Sequence, residues 1–174
     1  MSHVDDKVIE LVRTALKLEY CGERLYRHWA EQTRNESGKA MFLQLAEMEK
    51  GHVEETHEIF ASILGEDHWK SLVTEEIGCV HSSGIVAEIE AVVASRGHTE
   101  VADDIQALRM AMELERRAIH VFKEMADHTQ NSEVIEMIGK VIEEEAFHYD
   151  NLQAQLDSLL NVGIWLDKPE FRKS

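Results

Sequence analysis

Proline is almost missing from this chain: the single one, Pro169, stands near the end of 174 residues. With nothing to interrupt backbone hydrogen bonding, long helices can form along most of the length. Cysteine occurs twice, at Cys21 and Cys79, and not as a C-x-x-C pair. That excludes a thiolate metal knuckle built from this chain alone and points to reduced thiols in a cytoplasmic setting. Neither cysteine lies in a motif of nucleophilic catalysis. Basic residues are scarce, 18 Lys and Arg against 34 Asp and Glu, and the net charge of −16 argues against nucleic acid as a partner. It argues equally against an anionic membrane surface. Such a surface is above all well solvated, and its field also concentrates cations. No apolar run approaches the roughly 20 residues of a membrane span, and the opening MSHVDDKVIE does not read as a signal peptide. H-E-x-x-H is absent, which excludes the usual zincin arrangement, and there is no glycine-rich phosphate loop.

What is present is helix-forming. Hydrophobic residues make up 44% of the chain, with abundant Ala, Leu, Glu, Met and Lys, and no stretch alternates β-branched residues. The expectation is an all-α protein, one domain over residues 1–174 with a sizeable core. Four long helices are expected, over about 4–33, 38–64, 100–129 and 131–160. RNESGK turns the first pair and HTQNSE the second. Between the pairs, GEDHWKSL opens a crossover over about 65–99. This should hold a shorter helix that begins at Ser82 or Ser83 and stops at Gly97. A C-terminal tail follows from about residue 161. Two helical hairpins joined by a long crossover make a ferritin-like four-helix bundle.

An internal comparison supports the paired hairpins. Laying residues 11–60 on 107–156, an offset of 96 without gaps, gives 11 identities in 50 positions. Chance would give roughly three, so the halves read as a duplicated unit. The identities include Glu19 with Glu115, Glu49 with Glu145, and His52 with His148. A third E-x-x-H, Glu54 and His57, meets Asp150 and Gln153 and does not repeat.

These repeated polar residues interrupt apolar stripes. The second helix runs Phe42, Leu45, Glu49, His52, Thr56, Ile59 and Ile63, and the fourth Ile138, Val141, Glu145, His148, Leu152 and Leu159. The first runs Ala15, Glu19, Gly22, Tyr26 and Trp29, and the third Ala111, Glu115, Ala118, Phe122 and Met125. Each helix thus carries a glutamate in mid-stripe, facing the core. A small residue follows at Gly22 and Ala118, leaving room. Four carboxylates and two imidazoles would be buried at one level with no Lys or Arg on the stripes. Unpaired, each charge would cost several kcal/mol. Two divalent or trivalent metal ions would neutralise the set. Glu and His at i and i+3 lie side by side, so the Glu can bridge and the His cap one ion.

One Glu from each of two helices with a Glu-x-x-His from each of the others is the constellation of ferritin-like di-iron proteins. ALKLEYCGERLYRHWAEQ and MFLQLAEMEKGH resemble the first helical pair of the rubrerythrin branch, and AMELERRAIHVFKEMA with VIEEEAFH repeats it more loosely. The resemblance spans nearly everything outside the crossover and the tail. It implies Glu19, Glu49, His52, Glu115, Glu145 and His148 as ligands, with Glu49 and Glu145 bridging and Glu19 and Glu115 terminal. It also implies two iron ions per chain, with zinc or manganese as alternatives. Rubrerythrins typically add a four-cysteine rubredoxin domain, and this sequence has no such cysteines. The extra glutamate some carry has a candidate in Glu23, as ligand or as a hydrogen bonder behind the ligands, though its repeat counterpart is Ile119. Tyr26 could hydrogen-bond the site or quench an oxidising equivalent, although its counterpart Phe122 fits plain packing. His28, His57, His68, His81, His98, His120 and His128 read as surface or cap residues.

The function implied is a peroxidase or oxidase reducing hydrogen peroxide or dioxygen with electrons from a separate donor protein. The alternatives are a ferritin-like iron-binding ferroxidase and a non-catalytic metal-stabilised bundle. A homodimer or larger homo-oligomer is expected, from the resemblance and from an apolar crossover face at Ile85, Val86, Ile89, Val92 and Val93.

Overall fold

The computed structural model describes residues 6–79, 84, 87–89 and 103–167, and no strand occurs among them. Five helices follow in order: α1 (Asp6–Gln32), α2 (Glu36–Leu64), α3 (Glu66–Cys79), α4 (Asp103–Asp127) and α5 (Ser132–Val162). None of the described helices is long and apolar enough to cross a membrane.

The duplication is visible in the turns. Asn35 caps α2, its side-chain oxygen accepting from the amides of Ser37 at 2.9 Å and Gly38 at 3.1 Å. Asn131 caps α5 in the same way, accepting from Glu133 at 3.0 Å and Val134 at 3.5 Å. Thr33 and Thr129 each accept the amide of the capping asparagine at 3.3 Å. Two otherwise orphaned amides are satisfied at each start, and Glu36 and Glu133 complement the positive helix end. Asn35 is therefore the boundary, and α2 begins two residues earlier than expected.

The four long helices form the bundle. α1 pairs with α2 and α4 with α5, while α1 lies against α4 and α2 against α5. α1 and α4 run antiparallel, and Lys7 near the start of α1 meets Glu124 near the end of α4 at 3.7 Å. Apolar plugs close both ends of the interior. At one end Tyr26, Trp29, Phe42 and Trp165 pack ring against ring, with centroids 5.6–6.3 Å apart. At the other, Phe60 stacks on Phe122 at 6.3 Å and meets Trp69 at 5.3 Å. The mid-stripe carboxylates lie between.

α3 was not anticipated in the residues that open the crossover. Its described side chains offer two buried anchors, Trp69 and Leu72, among exposed charged and polar neighbours. A pattern that short is weak in sequence, and the helix is held by packing on α2 and α1. The crossover helix expected from Ser82 or Ser83 to Gly97 lies outside the described residues, apart from helical backbone at 84 and 87–89. So does the apolar face expected to support an oligomer, except Ile89, which is buried.

The last helix runs two residues past the expected end, and the tail then folds back on the bundle. Leu166 donates its amide to Gln155 Oε1 at 2.9 Å and Ser158 Oγ donates to the carbonyl of Ile164 at 2.7 Å. Trp165 inserts beside Phe42 and donates from Nε1 to Asp104 at 3.2 Å. It lies so close to Gly38 that a methyl there would stand 2.7 Å from the ring.

Candidate metal centre

The stripes place their polar members where expected. Glu19 on α1, Glu49 and His52 on α2, Glu115 on α4, and Glu145 and His148 on α5 are all buried, none more than 4% exposed. Flanking core positions such as Leu45, Ala15, Ala111 and Ile138 are sealed from solvent, so the helices cannot turn these six outward without exposing apolar surface.

The six converge. Glu49, His52, Glu145 and His148 each offer a ligand atom, all within 4.8 Å of one another. The His52 and His148 rings face each other with centroids 5.3 Å apart. His52 Nδ1 lies 3.0 Å from Glu145 and 3.4 Å from Glu19. His148 Nδ1 lies 3.2 Å from Glu145, 3.7 Å from Glu49 and 3.9 Å from Glu115. The arrangement has two halves, Glu19 with His52 and Glu115 with His148, and Glu49 and Glu145 between them.

Hydrogen bonding leaves this cluster incomplete. Both carboxylate oxygens of Glu19, both of Glu145 and Oε1 of Glu49 are buried without a well-directed hydrogen bond, although the imidazole nitrogens come as near as 3.0 Å. Orphaned buried oxygens are rare in folded proteins, because each forfeits its hydration for nothing. Protonation shows the same stress. Burial pushes the Glu19 carboxyl up, reinforced by the charge of Glu145. Burial, then Glu145 and Glu19, pushes Glu49 well up. Burial, then Glu49, does the same to Glu115. Glu145 goes the other way: burial would raise it, but His52 and His148 hold it well below the usual carboxylate range. Burial disfavours the charged form of both imidazoles, yet the surrounding carboxylates, Glu145 foremost, raise both. In metal-free protein, protons must stand in for the missing cations.

A pair of metal ions fits these residues. Oxygen and imidazole nitrogen donors suit iron, manganese or zinc. The orphaned oxygens are the atoms such ions would engage, and among the described residues no lysine or arginine ion pair reaches the six. Tyr26 adds a polar edge, its hydroxyl donating to Glu115 Oε1. Burial, then Glu115 and Glu49, pushes its phenol well up, so it keeps its proton. Glycine at position 22 matters through proximity: a Cβ there would lie 3.0 Å from Glu49 Oε2. A small cavity of about 10 Å³ opens beside it, lined by Leu18, Gly22, Tyr26, Glu49, Leu114, Glu115 and Ala118.

Glu23 is not drawn into the centre; its carboxylate accepts from Arg27 Nε at 3.1 Å. Among the other histidines, His28, His68, His120 and His128 are exposed, and half-buried His57 stacks on Trp69. His81 and His98 lie outside the described residues. Two further carboxylates make contacts that the apolar stripes do not mark. Glu113, buried on α4, accepts from Arg116 at 2.7 and 2.9 Å and from Arg117 at 3.1 Å. The E-x-x-R-R spacing could have disclosed that one. Glu144 lies 3.4 Å from His52 Nε2. Its signal was a break in the repeat, since its counterpart is Met48.

No curated protein and no solved structure matches the chain significantly. The family model described as rubrerythrin matches residues 10–156, a span that holds all six converging side chains and both hairpins. With that match covering most of its length, and a buried glutamate–histidine cluster fit for two metal ions, the chain belongs to the rubrerythrin family.

Proposed function

We propose that this protein is a non-haem di-iron oxidoreductase that reduces hydrogen peroxide, or dioxygen more slowly, with electrons from a separate donor protein. Two irons held there would supply the two electrons that reduction of peroxide, with two protons, to two waters requires. The chain's residues hold that chemistry in place. Glu49 and Glu145 lie between the two halves, and the terminal pairs Glu19–His52 and Glu115–His148 keep the set anchored to all four helices.

The observation that carries the reading is the cavity beside Glu49 and Glu115. At about 10 Å³ it has room for about one water-sized molecule. Its walls are mostly apolar, with Leu18, Leu114 and Ala118 excluding bulk water, and the Tyr26 hydroxyl and two carboxylates form the polar side. Such a space favours a small neutral oxidant over the traffic of hydrated iron that a mineralising protein needs.

The test is stopped-flow mixing of anaerobic protein, loaded with two ferrous ions per chain, with each oxidant in turn. Faster oxidation by peroxide, with no uptake beyond two irons, is expected. Faster oxidation by dioxygen with uptake well beyond two would transfer the assignment to a ferritin-like iron oxidase. Indifference to both oxidants would leave a metal-stabilised bundle.

A further inference from the structure

The duplication predicts two equivalent halves, yet two substitutions within it make them different. The first is Glu144, which stands where the other half has Met48. Its Oε2 lies 3.4 Å from His52 Nε2, and its side chain is 23% exposed. The nitrogens of His52 therefore have separate surroundings. Nδ1 faces Glu145 at 3.0 Å and Glu19 at 3.4 Å, while Nε2 faces a carboxylate on the way to solvent. A thioether at position 48 can present no such charge to the other half. The second difference is Tyr26, which donates to Glu115 Oε1. Its counterpart Phe122 has no hydroxyl to offer Glu19. The two terminal carboxylates therefore differ by one hydroxyl contact.

We propose that the two metal positions are unequal, and that Glu144 is the positioning residue that makes the Glu19–His52 half the tighter one. The inference rests on the two-metal reading above. A carboxylate facing Nε2 holds the imidazole proton there, presents the Nδ1 lone pair inward and makes that nitrogen a better donor. Partners of this kind typically change metal affinity by about 10–100-fold.

The experiment is titration of the metal-stripped full chain with Zn²⁺ in competition with a chromophoric chelator. Two ions per chain should bind in steps at least about tenfold apart. Glu144→Gln, at a partly exposed position, should weaken the first step by about 10–100-fold and leave the second in place. Glu144→Met, which copies the other half, should bring the steps together, whereas Tyr26→Phe should leave the first step unmoved. A general loss of structure would shift both steps alike. Two equal steps in the wild type, or a Glu144→Gln effect that is absent, shared by both steps or confined to the second, would overturn the inequality. Failure to bind two ions at all would instead remove the two-metal reading beneath it.

Discussion

Replacing Gly22 with alanine adds one methyl group where α1 packs against the Glu49 side chain. On the present backbone it would stand 3.0 Å from Glu49 Oε2 and 3.2 Å from its Cδ and Cγ. Ordinary contacts begin near 3.4 Å, so Glu49 would have to retreat by roughly 0.4 Å, the difference of 3.4 and 3.0. Two opposing effects act on the metal-free protein. A helix-interior Gly→Ala change stabilises by about 1 kcal/mol, and overpacking costs about 1–3 kcal/mol. The net loss is about 0–2 kcal/mol, a fall of no more than about 8 °C in a chain this long. With metal bound, the same retreat exceeds the roughly 0.2 Å within which coordination distances hold. The loss then falls on affinity, an expected 10- to 100-fold, or about 1.4–2.8 kcal/mol. Thermal melts of metal-free protein and Zn²⁺ competition titrations separate the two terms. Wild-type affinity in Gly22→Ala would refute the claim that position 22 is kept bare for Glu49.

Two further outcomes are expected. The raised carboxyls of Glu19, Glu49 and Glu115 give stability that is complete below their ordinary value and lost as pH rises through their raised ones. His52 and His148 contribute stability present below the ordinary imidazole value and lost as pH rises through their raised ones, while Glu145 opposes only towards acid. Metal-free protein should therefore weaken from about pH 5.5 to about pH 8, where metal binds best, so chelation should lower the melting temperature more at the higher pH. Glu49→Ala should abolish that difference, and a melt insensitive to chelator at both pH values would refute it. Gly38→Ala places a methyl 2.7 Å from the Trp165 ring and should cost about 1–3 kcal/mol while metal stoichiometry is retained. Near-ultraviolet circular dichroism and thermal melts check this; wild-type stability would show that the tail is not clamped at Gly38.

The six converging side chains were legible in the sequence because two independent periodicities coincide on them. Helical spacing put each on an apolar stripe, and the 96-residue repeat singled out the same positions, discarding Glu54 and His57. Burial of apolar surface then leaves a stripe one way to face, so pattern and position agree at Glu19, Glu49, Glu115 and Glu145. Features that depend on which helices meet had no such signal. α3 forms because Trp69 and Leu72 find the bundle, and an isolated sequence of that length would not hold a helix. Trp165 is a residue of an irregular tail until Gly38, Phe42 and Asp104, from other parts of the chain, make its socket. The bond from Tyr26 to Glu115 joins residues 89 apart, and the approach of Glu144 to His52 joins α5 to α2. One-dimensional periodicity can say that a side chain faces inward, but distance between helices decides which atom it meets there. Periodicity and repeat were thus enough for the duplicated bundle and its buried glutamate–histidine cluster, whereas packing between helices set how the two halves of that cluster differ.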